Sequence, residues 1–380
     1  MSAAPGSERR TAPVELLWDL VFVFAVTQVS TLLREHLSWG GFGRALLALA
    51  LMWWAWSAFV WATNAEHPDA VALRATLFVA TLLIFLTGLA LPHAFGRDGT
   101  LFAATYTGVR LLHLALYADA SRRGNASWSA IAGFGVTVLA GMGLLVVGSF
   151  ANGGVRVALW AVAAAIDYAG PAWLTRERLR GLQQVAVAHF AERYGLFVII
   201  CLGESIVAVG FGAGARHLGA ELVGAAALAL LVTIGLWWTY FDRASARGEQ
   251  SLRAHDDPVL AAADAYSYLH LPIVAGIIVF AVGARAAVAG ETGALPDGAR
   301  LALYGGVALY LLAHAAFTLR LGGARSVAKL LAAIACMALF ALTGGLVAWA
   351  AVGLLALLLA ALAGVERLTP LRSAPEPRAA

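Results

Sequence analysis

Apolar stretches of about twenty residues recur from one end of the chain to the other, broken by short polar joints, and that pattern predicts membrane-spanning helices. Twelve are predicted, at residues 16–34, 42–63, 73–93, 100–120, 130–150, 155–174, 190–212, 220–242, 264–288, 300–320, 327–343 and 346–365. The last two form one apolar run interrupted at Thr343-Gly344-Gly345, where two glycines after a polar residue favour a tight turn. The expected fold class is all-α, a polytopic helical membrane protein. A cytoplasmic tail over 1–13 precedes a first six-helix half over 14–180, a second half over 181–366 and a cytoplasmic tail over 367–380.

Composition agrees: 61% of residues are hydrophobic and only 13% charged, which excludes an ordinary soluble domain. The first apolar block contains Glu15 and Asp19 and lacks a small-residue cleavage site after it, so it is expected to be a retained helix and not a signal peptide. Lys and Arg are distributed unevenly between the joints. If both termini are cytoplasmic, the inner segments hold 18 of the 26 basic residues and the outer segments 7, with Arg110 inside a helix. Inner loops should carry the excess, so both ends are expected inside. The formal net charge of +4 is scattered through short loops with no basic stripe, so no nucleic-acid partner is expected. Cys201 and Cys336 fall inside apolar blocks, where a thiol behaves as a small hydrophobe, and no cysteine-based metal site or disulfide is expected.

The two halves resemble each other. ELLWDLVFVFAVTQVS from Glu15 and ERYGLFVIICLGESIV from Glu192 each place a carboxylate at the inner edge and a polar residue, Gln28 or Glu204, some twelve positions on. Trp53-Trp54 then matches Trp237-Trp238, and His113 matches His314, in the same order. Six helices per half predict a parallel internal repeat with a shared site at the interface between halves.

Ionisable residues within the apolar helices are the candidate chemistry, because hydrocarbon tolerates them only when protonated, paired or hydrated. Glu204 is foremost. It lies ~18 Å beyond the Glu192-Arg193 pair along a helix, which predicts a place near the bilayer midplane. His189, Arg193 and Glu204 share one stripe of that helix. Tyr106, Arg110, His113 and Tyr117, spaced 4, 3 and 4, share another. Arg110 needs an anion, and Glu204, Asp19 and Asp167 are the candidates. Glu15 and Asp19 lie one turn apart near the inner edge. Asp167 precedes Gly170-Pro171, and Asp264 and His270 enter from the cytoplasmic side ahead of Pro272. Each also has a structural reading: anchoring for His189 and Arg193, a static ion pair for Arg110, a helix break for Asp167, and a proline kink near His270. The tryptophan pairs read as membrane-interface anchors or core.

The segments ELLWDLVFVFAVTQV, AIDYAGP at 165–171, HFAERYGLFVIICLGESIV at 189–207, WWTYFDR at 237–243 and YLHLPIVAG at 268–276 resemble the bacterial low temperature requirement protein A (LtrA) family. The resemblance implies a multi-pass bacterial membrane protein linked by name to growth in the cold, placed here in the cytoplasmic membrane. It brings no catalytic residue, cofactor or metal. Walker, His-Glu-x-x-His and Gly-x-Ser-x-Gly motifs do not occur in the sequence. The leading expectation is a proton-coupled secondary transporter or permease for a small solute, partnered with membrane lipids. In it Glu204 is the coupling carboxylate and Arg110 with His113 the counter-site. A lipid- or isoprenoid-modifying enzyme would use the same groups as acid, base or metal ligands. A non-catalytic protein tuning the envelope in the cold would pair every buried charge statically.

Overall fold

Helices begin where the chain supplies both an apolar run and a way to satisfy the first free N–H groups. In the computed structural model, α1 (Pro13–Glu35) starts with Pro13, whose fixed φ suits the first turn, and the Glu15 carboxylate accepts the Ala12 N–H at 2.8 Å. The structure describes residues 11–64, 71–122, 128–170, 186–215, 217–242, 244–290, 292–323 and 326–368. Then come α2 (Trp39–Asn64), α3 (Val71–Ala90, extended by a 3-10 turn at Leu91–His93), α4 (Gly99–Arg122), α5 (Trp128–Ser149) and α6 (Gly153–Ala169). The second half holds α7 (Val187–Ala213), α8 (Ala220–Phe241), α9 (Ala244–Arg253), α10 (Pro258–Ala262), α11 (His270–Ala289), α12 (Asp297–Arg320), α13 (Val327–Leu342) and α14 (Ala348–Leu368).

A helix lies on every predicted apolar stretch, and nine of the described helices are long and apolar enough to cross a membrane. The chain is an all-helical polytopic membrane protein. Three helices on predicted apolar stretches stand outside that set. α4 is long but carries Arg110, His113 and two tyrosines, while α6 and α13 have 17 and 16 residues. Residues 171–174, including Pro171 of the expected end of α6, lie outside the described residues. The expected turn at 343–345 is present, with α13 ending at Leu342 and α14 beginning at Ala348. Two elements are additional. The polar helix α9 occupies what reads in sequence as a loop, and the ninth stretch begins early, at Pro258, passing through a π-helical turn at Ala263–Tyr268 before α11.

Contacts between helix ends define two faces. At the near face, where α1 begins, Asn64 at the end of α2 meets His189 at the start of α7. There, too, Arg320 at the end of α12 meets Asp264. At the far face, the buried Arg156 donates to the carbonyls of Ala94, Gly96, Ser149 and Ala151, tying together helix ends whose last carbonyls lack helical partners.

The core sits around α2 and the 258–289 segment, each 78% buried across its apolar window, against 39% for α3 or α8. Leu20, Phe78, Phe85, Ile199, Ile206 and Leu357 point outward, as lipid-facing positions must. α11 and α12 make the closest approach. A Cβ on Gly276 would stand 2.6 Å from the Gly306 carbonyl oxygen, and Cβ atoms on Gly283 and Gly306 would run into the backbone of Leu303 and Phe280. Small residues let membrane helices pack backbone to backbone.

Candidate functional site

The seam where α1 of the first half meets α7 of the second carries two charged rungs. Glu15 and Asp19 are one turn apart on α1, and His189 and Arg193 are one turn apart on α7, so both pairs face across the same gap. His189 Nε2 lies 3.0 Å from Glu15 Oε2. Arg193 reaches Asp19 through Nη2 at 2.6 Å and Nε at 3.1 Å, and its Nη1 is 3.2 Å from Glu15. All four residues are 1% exposed. The Trp56 indole donates at 2.8 Å to Asp19 Oδ1, the oxygen that also takes Arg193 Nη2, and Asn64 Oδ1 meets His189 Nδ1 at 3.2 Å. The forked guanidinium is set against two carboxylates at once, at ion-pair distance from both.

Above it, α2 presents Trp53, Ser57 and Trp61 on one face, four residues apart, toward the second half. The Trp53 indole donates to the Ser267 carbonyl at 2.6 Å and the Trp61 indole to the Ser267 hydroxyl at 2.8 Å. Ser57, Tyr194 and Ser267 close a triangle of hydroxyls at 2.7, 3.0 and 3.1 Å. The π turn makes this possible. Widening the helix by one residue splays successive side chains. Asp264 goes to Arg320 at 2.8 Å, Ser267 to the triangle, and Tyr268 to the Tyr168 carbonyl at 2.9 Å. His270 then bonds Tyr240 at 2.7 Å and the Ala265 carbonyl at 3.0 Å. Trp53-Trp54 is therefore core, with Trp54 stacked on Tyr168 at 4.0 Å between ring centroids. Trp237, by contrast, is 43% exposed.

Arg110 finds its anion in Asp167, at 2.7 Å, with both side chains essentially unexposed. Of the three candidate partners, this is the one in contact. His113 Nδ1 lies 3.4 Å from Arg110 Nη1, and Tyr106 on the same face donates to the Leu51 carbonyl at 2.9 Å. Of the expected stripe of Tyr106, Arg110, His113 and Tyr117, the first three are buried, and Tyr117 is half-buried with its ring 4.8 Å from that of His113.

Glu204 is inside the bundle, 5% exposed, about 6 Å past the middle of α7 toward the far face. Its expected neighbours do not meet it: Arg110 is engaged by Asp167, and Glu204 instead accepts the Thr27 hydroxyl of α1 at 2.6 Å. The Ser30 hydroxyl also faces it, and Arg285 of α11 is within electrostatic reach. Thr27 escapes notice in the sequence because a threonine in an apolar helix ordinarily bonds its own backbone; Thr27 does so as well, to Val23 at 3.1 Å. The adjacent Gln28 carries the sequence mark of the repeat, but its neighbour is the residue in contact. His189, Arg193 and Glu204 thus all lie along the α1–α7 seam, with the charged rungs near one face and Glu204 toward the other. Arg110, His113 and Asp167 form a separate site within the first half, and Asp264 belongs to a half-buried pair at the near face. Cys201 and Cys336 are buried free thiols.

The geometry can be set beside known proteins. An uncharacterized protein, RA0937, of Rhizobium meliloti (strain 1021) is 32% identical over 280 residues, spanning 71% of this chain and 67% of that one. No solved structure matches. The family description "Bacterial low temperature requirement A protein (LtrA)" matches residues 10–364, a span that takes in both charged rungs, Glu204 and the π turn. The chain belongs to the bacterial low temperature requirement A (LtrA) family.

Proposed function

We propose that the protein is a proton-coupled secondary transporter or permease for a small solute in the bacterial cytoplasmic membrane. In this reading all twelve principal helices cross the membrane, in two parallel six-helix halves over 14–180 and 181–366, with both termini on the cytoplasmic side. The order of packing supports the repeat: α1 lies on α2 and α3, α3 on α4 and α4 on α5, while α7 lies on α8 and α11, α11 on α12 and α12 on α13. The tyrosines agree. Tyr106 of α4 donates to the Leu51 carbonyl of α2, and Tyr310 of α12 donates to the Leu236 carbonyl of α8. The near face, where the excess of Lys and Arg falls, is then the cytoplasmic one.

The observation that carries the transport reading is the company Glu204 keeps. Four carboxylates are buried among the described residues: Glu15, Asp19, Asp167 and Glu204. The first three touch a guanidinium or imidazole, whereas Glu204 has hydroxyls within hydrogen-bond distance. Gaining or losing a proton at Glu204 strands no paired cation, because a hydroxyl can donate to a carboxylate and rotate to serve a carboxylic acid. Its place on the α1–α7 seam matters equally. Relative movement of the halves would alter the Thr27 contact and so couple protonation to conformation.

The test is proton flux in reconstituted vesicles carrying an entrapped pH dye, with panels of solutes applied as gradients. Wild-type protein should move protons when its solute is supplied, and Glu204→Gln should insert, fold and fail to do so. Full proton flux in the Gln variant sinks the assignment.

A further inference from the structure

One heptad beyond Thr27 and Glu204 toward the far face, α1 and α7 bring Arg34 and Phe211 onto the same two helix faces, since seven residues advance a helix by two turns to within about 20°. α11 completes the layer. The Arg285 guanidinium lies over the Phe211 ring, 5.2 Å from its centroid, and α7 and α11 are in tight contact there, with a Cβ on Gly212 standing 2.7 Å from the Arg285 carbonyl oxygen. Arg285 is within electrostatic reach of both Arg34 and Glu204. Among the described residues, neither arginine has a carboxylate at ion-pair distance, in contrast with the buried Arg110 and Arg193.

Two guanidiniums of like charge repel, and the aromatic ring orients one of them without neutralising it. The C-terminal end of α1 offsets part of the Arg34 charge, and an oxyanion between the two guanidiniums would neutralise the rest, through charge-assisted hydrogen bonds from two planar forks. We propose that Arg34, Arg285 and Phe211 form a far-face vestibule that captures an anionic solute bearing a carboxylate or phosphate group, one layer above the proton-exchanging Glu204. This rests on the transport reading and gives it a substrate class: an oxyanion that travels with a proton, its charge offset by the one Glu204 receives. The same chemistry is found on a phospholipid headgroup, and the experiment separates the two sources.

Purified full-length protein in a neutral detergent is titrated with succinate, with inorganic phosphate and with uncharged succinamide, and its thermal unfolding midpoint is followed. Either or both anions should raise the midpoint saturably and succinamide should not; which anion does so distinguishes carboxylate from phosphate. Arg285→Gln and Arg34→Gln should each weaken the response at least tenfold, and Phe211→Leu severalfold. The inference is overturned if neither anion acts, if the arginine variants respond like wild type, or if only phosphatidylglycerol in nanodiscs stabilises the protein. Loss of anion binding with Glu204-dependent proton flux intact would sink the vestibule and spare the transport reading. Binding that survives while that flux is absent would do the reverse.

Discussion

Two buried carboxyls, Asp167 and Glu204, show how differently one kind of group can be used inside one membrane protein. Asp167 is 1% exposed and holds a guanidinium at 2.7 Å; Glu204 is 5% exposed and holds a hydroxyl at 2.6 Å. The distances are nearly equal, yet the consequences diverge. Taking the charge from Asp167 leaves Arg110 alone in a low-dielectric interior, so the pair is fixed in place once formed. Taking it from Glu204 leaves hydroxyls to reorient and strands no cation at ion-pair distance. The first arrangement ties α4 to α6, and the second joins α1 to α7. Under the transport reading, a charge that must stay is kept where nothing need move, and a charge that can change sits where movement would be felt.

Breaking the fixed pair should have the largest effect. Asp167→Leu strands the Arg110 guanidinium and should destabilise the protein by about 3–5 kcal/mol, read as a lowered unfolding midpoint in detergent. Adding Arg110→Leu should recover most of that loss; if the double variant is no better than the single, the pair is not the isolated unit that the structure describes. Ser267→Ala comes next. It removes a hydroxyl shared by Ser57, Tyr194 and Trp61, and at about 1 kcal/mol per net hydrogen bond should cost about 1–3 kcal/mol. A change within a few tenths would mean that the triangle does not hold the π turn. Smallest in stability is Glu204→Gln, where the amide oxygen still accepts from Thr27 and the midpoint should correspond to a change below about 1 kcal/mol. A large loss there would put Glu204 in the same class as Asp167 and erase the contrast.

Much of the helical layout was legible because the signal for a membrane helix is a single long period of apolar residues, and even the Thr343-Gly344-Gly345 break could be seen. α9 was not, since its polar composition resembles a joint and its buried apolar anchor Leu252 is unremarkable by itself. The π turn left no mark either: it is a change in hydrogen-bond spacing that many sequences could adopt, recognisable only from where Asp264, Ser267 and His270 end up. Candidate site residues could be picked one at a time because charge in hydrocarbon is conspicuous. Their partners could not, because pairing depends on which helices are neighbours and on rotation about each axis. Asp167 stood among three candidates for Arg110 with nothing local to choose it. Glu15 and Asp19 showed the same four-residue spacing as His189 and Arg193, a match that could have suggested facing rungs. The hydroxyl that meets Glu204 was hidden by being ordinary.

The glycine contacts between α11 and α12 set a limit on how the molecule can work. Where Gly276 meets Gly306 and Tyr310, and Gly283 meets Leu303, the contact is mostly backbone against backbone, with little side chain to slide or repack. Such a contact behaves as a weld: a translation of even one residue would drive Cβ-bearing positions into the space that only glycine leaves open. These two helices therefore form a keel that travels as one piece, and it carries Arg285 and Asp264 with it at opposite ends. Any working stroke has to be taken up by the joints around that keel, and the α1–α7 seam is one that it touches.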